Sequence, residues 1–296
     1  MEIIDLESLA IFKAVVEEGG VVRAAAKLHR VPSNVTTRTR QLEEFLGVRL
    51  FRRQGRTLSL CAEGRALYNY SLRLLRLADE AVHELRSGKT QGTFRLGALE
   101  STAGTRLAPV LSRYHVEFPG VVVELVTGTT GALIHRVMNF DIEAAFVSEP
   151  FFASELKAVP IFREELVLIT SRQVKKVTTA KDLGRTAMIA FTNGCSYRKR
   201  LEEWLGSENV MPDRALEFGS YQGMIACVAA GTGFAIAPKS VLIALNAADK
   251  VNQHALPQRV STNRTHLVWR GEPSLALEGL IRLLRGAEQR ARAAAR

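Results

Sequence analysis

Apolar and polar positions follow two different patterns along this chain. As far as residue 88 most apolar side chains recur at helical spacing, whereas from residue 93 short apolar runs alternate with helical stretches. Residues 23–46 predict a short helix, a tight break at Val31-Pro32 and a second helix that opens on Ser33. The apolar positions of the second helix are expected to face a core: Val35, Leu42, Phe45 and Leu46.

The leading turns of this second helix are small, polar and basic. They carry Ser33, Asn34, Thr36, Thr37 and Arg38. A helix with such a front fits the major groove of DNA, where side chains read the base edges. Ordinary helical hairpins in globular domains share the pattern, so the pattern alone leaves both interpretations open.

The next residues favour the DNA-binding interpretation. Residues 50–60 predict two short strands around a Gln-Gly turn, and this hairpin carries Arg52, Arg53 and Arg56. A basic hairpin beside a recognition helix is a wing, placed to hold phosphates. Residues 23–56 contain nine basic residues against two acidic ones, and the whole chain has a formal net charge of +10. Such a concentration of positive charge is typical of phosphate binding.

Residues 5–64 resemble the N-terminal winged helix-turn-helix of LysR-type transcriptional regulators. The matching positions keep one register throughout the segment: Leu6, Glu7, Ser8, Leu9, Phe12, Val15, Gly19, Gly20, Ala24, Ala25, Ala26, Leu28, Ser33, Val35, Thr36, Arg40, Gln41, Leu42, Glu43, Leu46, Gly47, Val48, Leu50, Phe51, Arg52 and Arg53. Three positions depart from the family's usual residues, which are often Gln at Pro32, often Arg at Thr37 and usually Thr at Cys61.

The likeness to the family extends through residue 296 in length and in segment order. The stretches HRVPSN, GALESTA, NGCSYR and SYQGM…ACV look most like the subgroup that contains the putrescine-utilisation regulator of enteric bacteria. The resemblance implies a winged helix-turn-helix DNA-binding domain at residues 1–61, a linker helix at 62–88 and an effector-binding domain at 92–296.

The linker segment has an amphipathic stripe of its own. Its apolar residues recur at helical spacing: Leu67, Leu74, Leu75, Ala78, Ala81, Val82 and Leu85. A stripe of this kind usually packs in an ordinary core. After a DNA-binding domain, however, a helix-to-helix dimer seam is favoured, and the resemblance implies the same pairing of two protomers. It further implies that homodimers assemble into a homotetramer on two operator half-sites.

Strands and helices alternate from residue 93 onward, which predicts an α/β domain with a mostly parallel, helix-covered sheet. The resemblance implies two α/β lobes like those of a periplasmic binding protein. Lobe I would comprise residues 92–161 and 266–296, and lobe II residues 162–265. The two crossovers are expected near Pro160-Ile161 and Thr265-His266.

Ligands of open α/β sheets bind at the carboxyl ends of strands, where helix N-termini present free amides. Small polar or acidic residues stand at many of these turns and are the candidate effector contacts: Glu100, Ser101, Thr102, Thr129, Glu149, Thr192, Ser196 and Tyr221. Each Ser or Thr among them could equally serve as an ordinary helix N-cap. As a set drawn from two lobes, they favour a ligand cleft.

The charge of the ligand stays open at this point. Glu100 and Glu149 would pair with a cationic ligand, or simply complement a helix dipole. Arg198 would do the reverse for an anion, although arginine on a helix is more often solvated. The likeness to the putrescine regulator favours an amine or a related metabolite.

Several other classes of protein are disfavoured. The chain has no GxSxG, HExxH or Walker motif, and Gly231-Thr232-Gly233 lacks the rest of a dinucleotide fingerprint. We therefore expect no enzyme, no catalytic residues and no cofactor. The six histidines lack metal-ligand spacing, so no metal site is predicted. A thiol-based redox sensor that uses Cys195, Cys227 or both remains the alternative, because the family has a peroxide-sensing branch.

No run of about 18 apolar residues predicts a membrane span. The first residues do not resemble a signal peptide, and the few cysteines fit a reducing compartment. The sequence thus predicts a cytoplasmic regulator whose partners are double-stranded promoter DNA, a small-molecule effector and further copies of itself. RNA polymerase is a further candidate partner.

Overall fold

The computed structural model describes residues 3–54, 57–87 and 90–294, and the chain divides into two units, Met1–Gly92 and Thr93–Arg296. The elements of the first unit, in chain order, are α1 (Leu6–Glu17), α2 (Val21–Lys27), α3 (Pro32–Leu46), β1 (Phe51–Gln54), β2 (Thr57–Leu60) and α4 (Ala62–Ser87). Strands β1 and β2 pair antiparallel, with Phe51 opposite Leu60, so the predicted hairpin is present.

Helix α3 begins one residue earlier than predicted, because Pro32 occupies its first turn with a preset φ angle. It ends at Leu46, and the following Gly47 caps it with a left-handed φ of 68°, which suits glycine. Val35 and Leu42 are buried as predicted. The prediction for Phe45 is wrong, since its side chain is 43% exposed. At about 100° per residue, Phe45 lies roughly 80° around the helix from Val35 and misses the buried stripe.

The start of α4 packs against α1, and Leu67 and Tyr68 contact the core formed by Phe12, Leu42 and Leu50. Farther along, four described apolar side chains of α4 are between 40% and 63% exposed: Tyr70, Leu74, Leu77 and Val82. Part of the predicted stripe therefore faces outward within this unit. The side chain of Leu85 lies outside the described residues.

The second unit contains one mixed sheet with helices packed on it. Its strands are β3 (Gly92–Ala98), β4 (Val121–Thr127), β5 (Ala144–Ser148), β6 (Leu156–Thr170), β7 (Ala187–Ala190), β8 (Ala215–Glu217), β9 (Gly233–Pro238), β10 (Asn252–His254) and β11 (Thr262–Arg270). The strand order is β4-β3-β5-β11-β6-β9-β7-β8, and β10 pairs with β6.

The helices of the second unit begin with a nearly continuous segment after β3. They are α5 (Glu100–Thr102), a π-helical turn (Ala103–Leu107), α6 (Ala108–Glu117), α7 (Thr130–Met138), a 3₁₀ turn (Ala180–Leu183), α8 (Ser196–Ser207), α9 (Tyr221–Ala229), α10 (Lys239–Ala244), α11 (Gln258–Ser261) and α12 (Leu275–Ala294). Among the described residues, no helix is long and apolar enough to span a membrane.

The expectation of a mostly parallel sheet is wrong for its middle. Strand β3 runs parallel to β5, and β7 runs parallel to β8 and β9. Strand β11, however, is antiparallel to both β5 and β6, and β6 is antiparallel to β9. The chain crosses the sheet once along β6 and returns along β11, so these two strands must run in opposite directions.

The pairing of β6 with β11 is irregular at one point. Thr265 lies opposite Phe162 and His266 opposite Pro160, which leaves Ile161 as an extra residue. Such a bulge bends and twists a strand locally. The predicted crossovers near Pro160-Ile161 and Thr265-His266 lie at this bulge, and the division into two lobes stays a prediction.

Candidate DNA-binding surface and effector cavity

Helix α3 is held by its apolar side and presents its polar side to solvent. Val35 packs against α1 and α2, and Leu42 packs beneath the wing. The predicted DNA contacts at the front of the helix are exposed for Ser33, Asn34, Thr36 and Thr37 and half-buried for Arg38. These five side chains are thus accessible at the front of the helix, and their contact with DNA stays a prediction.

The wing is fastened to α3 by Glu43. One carboxylate oxygen of Glu43 accepts hydrogen bonds from the backbone N–H groups of Leu50, at 2.7 Å, and Phe51, at 3.3 Å. Arg52 on β1 is exposed, and its Nε donates to Ser59 Oγ at 3.4 Å.

The other two predicted phosphate contacts of the wing, the Arg53 side chain and Arg56, lie outside the described residues. Their placement against DNA stays a prediction.

In the second unit, a cavity of about 280 Å³ lies where strand ends meet helix N-termini. Six predicted effector contacts line it: Glu100, Ser101, Thr129, Thr192, Ser196 and Tyr221. The first three precede β6 in the chain and the last three follow it. Segments more than 60 residues apart in sequence therefore contribute to one cavity.

Two predicted contacts, Thr102 and Glu149, do not line the cavity. Thr102 is buried elsewhere in the core, because one step along the helix turns its side chain by about 100° from that of Ser101 and away from the cavity. Ser148 lines the cavity, and successive side chains of an extended chain point to opposite sides. The next residue, Glu149, therefore points away from the cavity. Its carboxylate pairs with Arg200 at 3.6 Å.

Arg198 does not reach the cavity either, so it is not the anion anchor considered from the sequence. Its Nε donates to Glu202 at 2.7 Å and its Nη1 to Glu217 at 2.6 Å. These two carboxylates raise the pKa of the guanidinium and compensate its positive charge.

Hydrogen bonds across the cavity connect its walls. Ser196 Oγ donates to the backbone oxygen of Ser148 at 2.8 Å, and Gly131 N donates to Gly194 O at 3.1 Å. Gly194 has a φ of 90°, and a Cβ there would lie 3.1 Å from Thr129 Oγ1. Glycine therefore allows the two backbones to approach closely.

Glu100 is half-buried in the cavity wall, and burial raises the pKa of its carboxyl group. One oxygen accepts a hydrogen bond from the backbone N–H of Tyr221 at 3.4 Å, which partly opposes the rise in pKa. Among the residues lining the cavity, all of which the structure describes, Glu100 is the charged one.

Sequence reasoning identified Tyr221 but missed the other aromatic residues of the wall, namely Phe191, Tyr197 and Phe218. Burial raises the pKa of Tyr197, so its hydroxyl stays protonated. The nearby hydroxyls of Ser101 and Ser148 oppose this rise in pKa. Tyr197 Oη nevertheless has no hydrogen-bond partner among the described residues. The sequence contained one signal for Tyr197, namely its predicted position in the first turn of a helix that follows a strand.

The three cysteines are free and half-buried. Cys195 lines the cavity, and burial raises its pKa, although the N–H groups of Arg198 and Tyr197 oppose the rise. Cys227 on α9 packs against the core. In the described part of the chain, no group of three or more His, Cys, Asp or Glu residues is placed to hold a metal ion.

A winged helix-turn-helix in one unit and a cavity-bearing α/β fold in the other define a ligand-responsive DNA-binding regulator. Two family models match the chain: "Bacterial regulatory helix-turn-helix protein, lysR family" over residues 6–65 and "LysR substrate binding domain" over residues 87–289. The chain belongs to the LysR family. It is a DNA-binding transcriptional regulator with an effector-binding domain, and it is not an enzyme.

Individual relatives agree with this family. The chain is 34% identical over 263 residues to the uncharacterized HTH-type transcriptional regulator YusT of Bacillus subtilis (strain 168), covering 88% of each chain. Its fold is similar to ArgP from Mycobacterium tuberculosis (TM-score 0.76, 17% identity, 96% of this chain and 97% of that one). It is also similar to full-length CbnR complexed with its target DNA (TM-score 0.66, 22% identity, 95% and 99%).

Proposed function

We propose that this regulator responds to a small amine-bearing metabolite that binds beside Glu100. The observation that carries the proposal is the isolation of this carboxylate among neutral lining residues. Burial already penalises its charge, and its polar contact is a single long hydrogen bond from the Tyr221 backbone. A partly desolvated carboxylate gains most from a ligand that brings a positive charge.

The aromatic wall suits the same ligand class. Phe191 and Tyr221 meet edge to face with ring centroids 4.9 Å apart, and Phe218 completes the wall. Aromatic faces attract cations and bury the carbon chain that carries them. The hydroxyls of Thr129 and Thr192 would receive a second polar group of the ligand. The likeness to the putrescine-regulator subgroup supports this chemistry and stays a prediction.

Assembly and site of action form part of the proposal. The outward-facing apolar residues of α4 support pairing of two protomers along this helix, and two such dimers would form a homotetramer on paired half-sites. The effector would shift the arrangement of this assembly only if it binds the two states with different affinity. We place the protein in the cytoplasm, acting on promoter DNA, with RNA polymerase as a further candidate partner.

The thiol-based alternative has less support. A cysteine that reacts readily with peroxide needs a lowered pKa, whereas burial raises the pKa of Cys195. Titration of thiols under mild oxidant tests this alternative, and rapid selective loss of the Cys195 thiol would revive it.

Calorimetry tests the proposed ligand class. Polyamines, amino acids and carboxylates are titrated into the wild-type protein and the Glu100→Gln and Asp141→Asn variants. Asp141 is the control, because it is a carboxylate of the same unit that does not line the cavity. We expect Glu100→Gln to weaken amine binding by about tenfold or more, Asp141→Asn to leave it unchanged, and neither to alter effector-free DNA binding.

If carboxylates alone bind, with equal affinity for wild type and Glu100→Gln, the amine assignment is wrong. The helix N-termini around the cavity would then be the anchors to examine.

A further inference from the structure

Glu7 binds two arginines of the predicted DNA-binding surface at once. Its Oε1 accepts from Arg30 Nη2, and its Oε2 accepts from Arg38 Nη2 at 3.2 Å. Arg30 Nη1 also donates to Asn34 Oδ1 at 3.3 Å. We call Glu7, Arg30, Asn34 and Arg38 the Glu7 cluster. It joins the first turn of α1, the turn before α3 and the front of α3.

The cluster contributes little to the stability of the fold. The side chains of Glu7, Arg30 and Arg38 are 48%, 34% and 39% exposed. Ion pairs at such exposure are weakened by water and salt. The unit is held instead by buried residues such as Phe12 and Val35. We therefore attribute the role of Glu7 to its effect on how Arg30 and Arg38 bind DNA.

We propose that Glu7 is a positioning residue that sets DNA sequence specificity. The inference rests on the proposed placement of α3 in the major groove. With one edge of its guanidinium held by Glu7, Arg38 keeps a fixed orientation and offers its remaining N–H groups to acceptors on a guanine edge.

Asn34 is oriented indirectly by the same carboxylate. Arg30 donates to Asn34 Oδ1 and so fixes the carbonyl side of the amide. The N–H groups on the other side remain free to donate. Two candidate base contacts are thus arranged before DNA arrives, which lowers the entropic penalty of the correct complex.

Glu7 also opposes incorrect complexes. A released Arg38 could swing to any nearby phosphate, which would strengthen binding to all sequences alike. The negative charge of Glu7 competes with phosphate for Arg38 and repels a backbone that approaches in the wrong register. Removing this charge should therefore raise general affinity and reduce discrimination.

The test compares Glu7→Gln with Glu44→Gln in the full-length protein. Glu44 is the matched control, because it is an exposed carboxylate on α3 that pairs with Arg40 at 2.7 Å. Both variants lose one negative charge from the same unit. The probes are a duplex selected by the wild-type protein from a randomised library and a shuffled duplex of equal length, each titrated at several salt concentrations.

For Glu7→Gln we expect tighter binding to the shuffled duplex, a salt slope steeper by about one, and a selected-to-shuffled affinity ratio reduced about tenfold. Glu44→Gln should change both affinities alike and keep the ratio. If Glu7→Gln and Glu44→Gln have equal selected-to-shuffled affinity ratios, the proposal is overturned.

Arg38→Ala separates the two ways in which the inference can fail. If Arg38→Ala keeps the wild-type selected-to-shuffled affinity ratio, α3 does not read bases through this residue. The placement of α3 in the major groove then fails together with the inference. If Arg38→Ala loses the ratio while Glu7→Gln keeps it, the groove placement stands and only the role of Glu7 is wrong. Thermal unfolding of each variant verifies that the exposed substitutions leave the fold intact.

Discussion

Two arginine–carboxylate pairs, one in each unit, differ in how far water reaches the carboxylate. In the DNA-binding unit, Arg38 and Glu7 pair on the surface, with side chains 39% and 48% exposed. In the effector-binding unit, Arg106 donates to Glu164 at 2.8 Å, and its side chain is 38% exposed, whereas the Glu164 side chain is only 6% exposed. Where water reaches the pair, the charges remain available to a partner. Where the carboxylate is buried, the pair becomes part of the architecture.

The Arg106–Glu164 pair lies close to the effector cavity in sequence and in space. Arg106 belongs to the π-helical turn that follows Ser101, and Thr105 Oγ1 donates to the Ser101 backbone oxygen at 2.7 Å. Glu164 on β6 also accepts from Ser240 Oγ on α10 at 2.8 Å. The pair therefore ties the helix that begins at the cavity to the long central strand.

The largest effect that would test this comparison is on stability. Arg106→Ala leaves the buried Glu164 carboxylate with Ser240 as a donor but without its cation, and should destabilise the effector-binding unit by about 2 kcal/mol. Arg38→Ala removes a cation from an exposed pair and should cost less than about 1 kcal/mol. Chemical denaturation of the full-length variants measures both, and losses of equal size would abolish the distinction.

A smaller effect concerns the junction between the wing and α4. The Cys61 backbone oxygen accepts from Arg65 N at 3.0 Å, which places Cys61 at the N-cap position of α4. Sulfur is a poor acceptor for free helix amides, so Cys61→Thr should stabilise the DNA-binding unit by about 0.5–1 kcal/mol.

Cys227→Thr is the control for this substitution, because Cys227 lies inside α9 and a threonine there caps nothing. The denaturation midpoint should rise for Cys61→Thr and not for Cys227→Thr. A midpoint that stays or falls for Cys61→Thr would show that apolar packing of the cysteine outweighs the cap.

The same contrast explains how far sequence reasoning reaches. The surface of α3 is built from one continuous segment, so helical spacing alone separates Val35 inside from Thr36 outside. The spacing failed at Phe45, because this position lies at the margin of the buried stripe, where the shape of the neighbouring core decides exposure.

The cavity is harder to predict, because it depends on which way each side chain points after distant segments meet. Strand-to-helix turns located Ser101 and Ser196 correctly at the lining. They did not reveal that Thr102 turns inward or that Glu149 pairs with Arg200, since both depend on neighbours far away in sequence. The antiparallel centre of the sheet was missed for a similar reason, because β6 and β11 pair across about 100 residues of chain.

The central claim is that a carboxylate in the cavity anchors a cationic effector, and its pH dependence tests it most directly. Burial raises the pKa of Glu100, and protonation would remove the charge that holds an ammonium group. Amine affinity should therefore be full above this raised pKa and fall as the pH drops through it. The amine itself stays protonated over this range.

The measurement is the affinity of the tightest-binding amine for the full-length protein between neutral and acidic pH, with Glu100→Gln in parallel. We predict a loss of affinity on acidification in the wild-type protein and a flat, weaker profile in Glu100→Gln. An affinity that rises on acidification, or a fall that Glu100→Gln shares, would contradict the account.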